Sequence, residues 1–562
     1  MRVHRIPGSH SPSVAFACPL CGRPVAPEIR SLTARIEVPI ARNLKRDHPA
    51  WVSGAGACPE CVQRAAELNR LWRSQTSIQE ELLLPYPVYS PDAAYLLPTP
   101  QRLGASSQYS GQGVTLAFLD SGFYPHLDLV RPVNRILCYA DATGAEVVER
   151  AHFNKPHSSS WHGLMTACIA AGSGFKSAHF YRGIAYRASL VLVKTGHRGG
   201  HGISEADIQR ALAWVIANQA RFNIRVVNIS LGGDHPAHNR LGELDRLVED
   251  AVARGMVVVA AAGNGGIERL VPPASAPSAI TVGGLDDRNS LERHLWRTYH
   301  SNFGRSSSSQ PKPEIIAPAI WLAAPMLPHT RVHNEGMLLW RLDRSVDRMY
   351  HHLMTDRSLP LAARDSRYQQ LEKMRRQLRT RMIEQKYIHP HYQHVDGTSM
   401  AAPIVTSIVA QMLEANPDLA PGKVRDILIE TAIPLERAAS AQQGAGVVNA
   451  ARAVALARRR AAGPLHGLPL SPDVGSEEVT FYYFDPSHAA ARVALAGSFN
   501  DWDPQGYAMR APAPGLWQIS IPLPPPGSYR YKFLVDDSWL DDPENSFRLE
   551  DGYGGFSSVL DV

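Results

Sequence analysis

Apolar positions follow two alternating periods through the middle of the chain. Short continuous runs such as "GVTLAFLD", "ASLVLVKTG", "IRVVNISLGG", "MVVVAAAGN" and "AITVGGL" are rich in Val, Ile and Leu and stop at Gly, Asn or Asp. Runs of this length, bounded by turn residues, predict strands buried on both faces. Between them lie "HGLMTACIAAG", "EADIQRALAWVIANQ" and "LGELDRLVEDAVARG", whose apolar residues recur at helical spacing. Strands alternating with helices predict an α/β domain, a parallel sheet covered on both faces, over about residues 93–462. Ligands of such sheets sit outside the carboxyl ends of the strands, so polar residues there are the first candidates for chemistry.

The pattern breaks at about residues 327–392. There Leu338, Leu342, Val346, Met349 and Leu353 repeat at helical spacing, and Tyr368, Leu371, Leu378 and Met382 mark a second helix. A helical hairpin inserted into the domain is expected. Its arginines, as in "EKMRRQLRTRMIEQK", are interleaved with acidic residues and read as a solvated face rather than a nucleic-acid patch. After a linker at 463–475 the period drops to two: "VTFYYF", "ARVALAG", "LWQISIPL", "YRYKFLV" and "SSVLDV" are separated by Pro, Gly and Asp turns. That texture predicts an all-β sandwich over 476–562. At the other end, residues 1–64 carry paired cysteines, and 65–92 read as a helix followed by a proline-containing linker.

Composition narrows the class. The chain has 562 residues and a net charge of +6, too small a surplus to argue for nucleic-acid binding. Its first residues lack the apolar stretch of a secretory leader, and no run approaches the 18 or so apolar residues of a membrane span. A cytoplasmic protein without a membrane partner is therefore expected. Cys18 and Cys21 ("CPLC") and Cys58 and Cys61 ("CPEC") form two C-x2-C pairs. Two such pairs offer four thiolates to a closed tetrahedral zinc site, and a reducing compartment disfavours the alternative of disulfides.

The candidate chemistry lies at element ends. Asp120 closes the run "VTLAFLD", His162 opens the helical "HGLMTACIAAG", Asn264 ends "VVVAAAGN", and Ser399 stands in "DGTSMAAPIV" at a helix N-terminus. Each has a plain structural explanation as a turn former or cap. Together they supply a carboxylate, a base, an amide donor and a nucleophile. Pro403 is expected in the first turn, where its missing N–H is not needed.

With these residues in place, the chain resembles the subtilisin-like serine endopeptidases. "LDSGFYPHLDL" is similar to the family's aspartate motif, "HGLMTACIAAG" to its histidine motif, "NISLGG" to its substrate strand, "AAAGN" to its asparagine motif and "GTSMAAP" to its serine motif, in the family's order. The resemblance implies a Ser399-His162-Asp120 triad with Asn264 donating to the oxyanion. It also implies a protein or peptide substrate paired along Ser230, Leu231 and Gly232. The last segment resembles the glycogen-binding domain of AMP-activated kinase β subunits, carbohydrate-binding module family 48, through "ALAGSFNDWDP" and "PPPGSYRYKFLVDDSWLDDPENS". By that resemblance Trp502 and Trp539 stack on the apolar faces of an α-glucan and Lys532 bonds its hydroxyls. A catalytically silent scaffold and a glycan-metabolising enzyme are the competing readings. The complete tetrad argues against the first, and the second lacks a domain with paired catalytic carboxylates. Cleavage preference, calcium sites and oligomeric state are not legible at this stage.

Overall fold

In the computed structural model the apolar runs become a sheet of nine strands. It describes residues 16–18, 24–25 and 96–562, apart from 151–152, 154, 158, 198–202, 234–240, 356–360, 463–464 and 553–554. The sheet strands are β1 (Thr115–Asp120), β2 (Ile136–Asp141), β3 (Val148–Glu149), β4 (Ser189–Lys194), β5 (Ile224–Ile229), β6 (Val257–Ala261), β7 (Ile280–Asp286), β8 (Arg297–Thr298) and β9 (Ile315–Pro318). Their order is β8-β7-β6-β5-β1-β4-β2-β3, with β9 beside β7. β1, β2, β4, β5, β6, β7 and β9 pair in parallel, and β3 and β8 are antiparallel additions. β1 has β4 on one side and β5 on the other, so the strand order reverses there and Asp120 stands at the switch point.

Successive residues of each strand enter opposite cores. Leu116, Phe118, Leu190, Leu192 and Val226 face one layer of helices: α1 (Ser160–Ala171), α6 (Thr398–Ala415) and α7 (Ala450–Arg459). Ala117, Leu119, Val191, Val193 and Val227 face the other, α2 (Glu205–Ala217) and α3 (Glu243–Ala253). The expected α/β architecture is present.

The insertion is the expected helical hairpin, α4 (Arg331–Thr355) and α5 (Leu361–Glu384). It grows from a small sheet in which β12 (Tyr392–Val395) lies between β10 (Leu322–Pro325) and β11 (Tyr387–His389). Arginines of α5 pair with acids of α4, Arg375 with Asp347, Arg379 with Asp343 and Arg381 with Glu335, and so bridge the two helices. The buried face of α4 carries Leu339, Trp340, Val346 and Leu353, whereas Leu338, Leu342 and Met349 are exposed. The apolar spacing that betrays the helix thus mixes two faces of it.

The chain divides into two units, Ser74–Leu470 and Met1–Arg73 with Ser471–Val562. The second contains the sandwich. One sheet holds β13 (Glu478–Phe484), β15 (Arg510–Ala513) and β16 (Leu516–Pro522); the other holds β14 (Val493–Gly497), β17 (Ser528–Val535), β18 (Ser538–Leu540), β19 (Arg548–Glu550) and β20 (Phe556–Asp561). Val479, Phe481, Leu495, Tyr531 and Phe533 fill the space between them. Among the described residues no helix is long and apolar enough to cross a membrane.

Candidate active site

Asp120 is fully buried at the end of β1 and is held on several sides. The Ser121 N–H donates to its Oδ1 at 2.7 Å and the Thr166 hydroxyl to its Oδ2 at 3.0 Å. His162, in the first turn of α1, places Nδ1 2.7 Å from Oδ1. This approach requires Gly163: a Cβ there would lie 2.2 Å from the Gly122 carbonyl oxygen and 3.0 Å from the Asp120 Cβ. Burial alone would lower the His162 pKa, but the Asp120 charge and hydrogen bond outweigh it, and the pKa is raised above 6.5.

Ser399 is the second residue of α6, so its N–H is among those without an intrahelical partner. The helix begins at Thr398, which puts Pro403 well inside it and corrects the expectation of a first-turn proline. An N–H at Pro403 would pair with the Ser399 carbonyl in the regular i→i−4 ladder. The Ser230 hydroxyl donates to that carbonyl instead, at 3.0 Å. Ser230 Oγ accepts from Asn228 Nδ2 at 3.0 Å, and Asn228 Oδ1 accepts from the Thr406 hydroxyl at 3.0 Å. The proline therefore leaves an opening that a buried relay fills, and the relay ties the nucleophile's backbone to the end of β5. The Ser399 hydroxyl itself donates to the Ser230 carbonyl at 3.3 Å.

Asn264 follows β6 in a glycine loop. Its Oδ1 accepts from the Thr398 N–H at 2.8 Å and the Thr398 hydroxyl at 2.9 Å. With the oxygen so occupied, the amide presents its Nδ2 donor. Gly397 lets the loops meet: its φ of +127° is glycine territory, and a Cβ would come 3.3 Å from Asn264 Nδ2. The four residues named from the sequence thus form two pairs at the carboxyl ends of the strands: His162 on Asp120, and Asn264 on Thr398, the residue before Ser399. Of the substrate-strand residues, Ser230 is buried and turned to the Ser399 carbonyl, while Leu231 is half-buried and Gly232 exposed. The Asn228 and Thr406 roles were not anticipated: the pair is separated by 178 residues.

The other expected sites fare unevenly. Trp502 is half-buried and meets Trp539 edge-on, with ring centroids 6.3 Å apart. Trp539 is only 7% exposed and lies behind the surface. Lys532 is 2% exposed and its ammonium is 2.6 Å from Asp551, so it does not meet the expectation of a free donor for sugar hydroxyls. Cys18 is buried directly after the strand Phe16–Ala17, which pairs with Pro24–Val25 across the "CPLC" stretch. Cys21, Cys58 and Cys61 lie outside the described residues.

His126, Asp128 and Cys168 bring ligand atoms within 4.8 Å of one another inside the peptidase unit. The Asp128 oxygens and His126 Nδ1 are already engaged. The Tyr392 hydroxyl donates to Asp128 Oδ2 at 2.5 Å, the Lys176 N–H to Oδ1 at 3.1 Å, and His126 Nδ1 accepts from the Asp128 N–H at 3.2 Å. Burial raises the Cys168 thiol well above its ordinary pKa, and a neutral thiol does not suit a hard cation such as calcium.

Comparison with known proteins gives matches in both parts of the chain. The model of the subtilase family matches residues 111–451, and that of the glycogen recognition site of AMP-activated protein kinase matches residues 482–562. Serine protease AprX of Bacillus subtilis (strain 168) is 30% identical over 354 residues, covering 61% of this chain and 67% of that protein. The alkaline protease of Alkalihalobacillus alcalophilus is 29% identical over 212 residues; the match covers 38% of this chain and 46% of that protein. A solved protease from Pseudoalteromonas arctica PAMC 21717 aligns over 66% of this chain and 96% of that chain, with 22% identity and a TM-score of 0.43. Because the subtilase match alone takes in more than half of the chain, this protein belongs to the subtilase family of serine endopeptidases.

Proposed function

We propose that the protein cleaves peptide bonds through an acyl-enzyme on Ser399 and that its sandwich domain directs it to glycogen or another α-glucan. The 2.7 Å contact between His162 and the buried Asp120, beside a nucleophile at a helix N-terminus, carries this reading. A serine hydroxyl is almost wholly protonated near neutral pH, so His162 Nε2 takes the Oγ proton as the substrate carbonyl is attacked. Rotation about χ1 of Ser399 away from the Ser230 carbonyl hands the hydroxyl to His162 as substrate enters. Asp120 holds the imidazole tautomer and stabilises the imidazolium. The developing oxyanion takes hydrogen bonds from the Ser399 N–H and from Asn264 Nδ2, whose orientation Thr398 fixes. His162 then protonates the leaving amine, and water releases the acyl group by the reverse sequence.

Ser399→Ala is expected to abolish casein hydrolysis and fluorophosphonate labelling while leaving thermal unfolding unchanged. Undiminished hydrolysis in that variant contradicts the assignment.

For the glucan, Trp502 supplies the accessible indole and Trp539 backs it edge-on. Co-sedimentation of the full chain with glycogen is expected to fall in Trp502→Ala; unchanged retention removes stacking as the mechanism. The paired cysteines are proposed to hold a structural zinc ion as thiolates, which suits a compartment where thiols stay reduced, such as the cytoplasm.

A further inference from the structure

Trp161 immediately precedes His162 in the first turn of α1. It is 47% exposed, and its ring stands perpendicular to the His162 imidazole with centroids 5.3 Å apart. A lone exposed apolar side chain on a protein surface needs no explanation. This one stands against the imidazole, within a side chain's reach of any substrate held at His162.

Its backbone is also fixed. The Ser121 hydroxyl, next to Asp120, donates to the Ser159 carbonyl at 2.7 Å. His157 Nδ1 is 2.9 Å from the Ser159 hydroxyl. Gly122 packs against the same segment, where a Cβ would sit 3.1 Å from the Ser159 carbonyl oxygen. The indole is therefore presented on a rigid turn, at a fixed place relative to the reacting atoms, as a selective contact requires.

We infer that Trp161 is a specificity-determining residue, selecting a large apolar or aromatic side chain at a substrate position flanking the scissile bond. The inference rests on the endopeptidase reading and adds a substrate class to it. An indole offers a broad apolar face with little rotamer freedom to lose, and covering it with a substrate side chain removes apolar surface of both from water. A glycine at the same substrate position leaves that surface wet. Discrimination of this kind is worth about tenfold or more in kcat/KM for each well-covered increment of side chain.

The test uses the full chain and internally quenched peptides that differ only in having Leu, Phe or Gly at the second residue before the scissile bond or the first after it. At one of these positions the parent is expected to favour Leu and Phe over Gly by about tenfold or more, chiefly through KM. Trp161→Ser is expected to collapse that ratio and Trp161→Phe to restore most of it. A ratio that survives in Trp161→Ser, or a parent indifferent at both positions, overturns the inference. Fluorophosphonate labelling of Ser399 in each variant reports a folded centre. If the parent neither labels nor hydrolyses any peptide, the endopeptidase reading itself fails.

A second measurement needs no variant. A peptide with a reduced CH2–NH link in place of the scissile amide, which spans both sides of it and has Leu at the preferred position, should protect Trp161 from N-bromosuccinimide oxidation, read by peptide mass spectrometry. Equal oxidation of Trp161 with and without this peptide also overturns the inference.

Discussion

Two opposed effects act on the His162 imidazole: burial disfavours its charged form, and the Asp120 carboxylate favours it more strongly, so the pKa is raised above 6.5. Catalysis needs the neutral ring, so kcat/KM on a peptide substrate is expected to climb with pH along a limb centred above 6.5. Asp120→Asn removes the charge and the tautomer control; kcat should fall by about 10⁴-fold and the limb should move down. A wild-type limb at or below 6.5 contradicts the dyad's electrostatics.

The residues in this argument were legible because Asp120, His162, Asn264 and Ser399 each stand where an apolar run stops or starts, and their chemical types compose a mechanism. Asn228, Thr406 and Trp161 carry no such mark. The first two look like ordinary strand and helix polar residues until the fold joins them across the sheet. Trp161 could as well have been core. Lys532 misled for the same reason: nothing in the sequence announces that Asp551 takes its ammonium.

The root of the hairpin lies close in sequence to Ser399. Its root ladder pairs Leu322 with Val395 and Pro325 with Tyr392, and the chain continues through Asp396 and Gly397 to Ser399. Asp396 accepts from the Trp321 N–H at 3.2 Å and pairs with Lys386. Burial would raise its pKa, but these partners and His394 hold it far below the usual carboxylate range. At 25 residues α4 extends about 37 Å from a root next to the nucleophile. We propose that a body of that size, anchored there, restricts bulky substrates more than short peptides. Replacing residues 331–384 with a short Gly/Ser linker, which keeps the β10–β12 ladder, is expected to raise cleavage of a folded protein substrate more than that of a chromogenic peptide. An unchanged ratio of the two rates in a well-folded variant removes the gating role. The helices were readable from their apolar spacing, but which face is buried was not, because Asp343 and Arg379 enter the packed face as an ion pair while Leu338 and Leu342 point to water.

At the scale of the whole molecule the buried titratable groups lead us to expect that the two units respond to pH in opposite directions. Beneath the hairpin root, burial pushes His333 down to about 4, His389 to about 3 and His391 to about 2, and the Lys176 charge adds to each. Folded, these rings stay neutral at pH values where the unfolded chain protonates them. Their stabilisation is complete above 6.5 and is withdrawn as pH falls below it. Asp245, raised to about 6 chiefly by burial, opposes them together with the raised Asp343 and His162, while His126 and His394, lowered by burial, act with the three imidazoles.

The sandwich behaves in reverse. Asp542 lies in "WLDDPENS", which reads as a solvated turn, yet it is buried, accepting from the Ser471 and Tyr531 hydroxyls at 2.7 Å each. Burial, with the Glu544 charge adding, raises it to about 7. A carboxyl that keeps its proton when folded and releases it near 3.9 when unfolded stabilises the fold below about 4, and that contribution is lost as pH rises through 7. Between pH 5 and 7, then, the peptidase unit should gain stability while the sandwich loses it. Hydrogen exchange resolved by unit is the measurement: amides of β1 and β5 should become better protected over that range and amides of β17 and β20 less so. In Asp542→Asn the second trend should flatten, because the amide keeps the neutral state at every pH. Protection that moves the same way in both units would mean that neither the buried imidazoles nor the buried carboxyl governs the response.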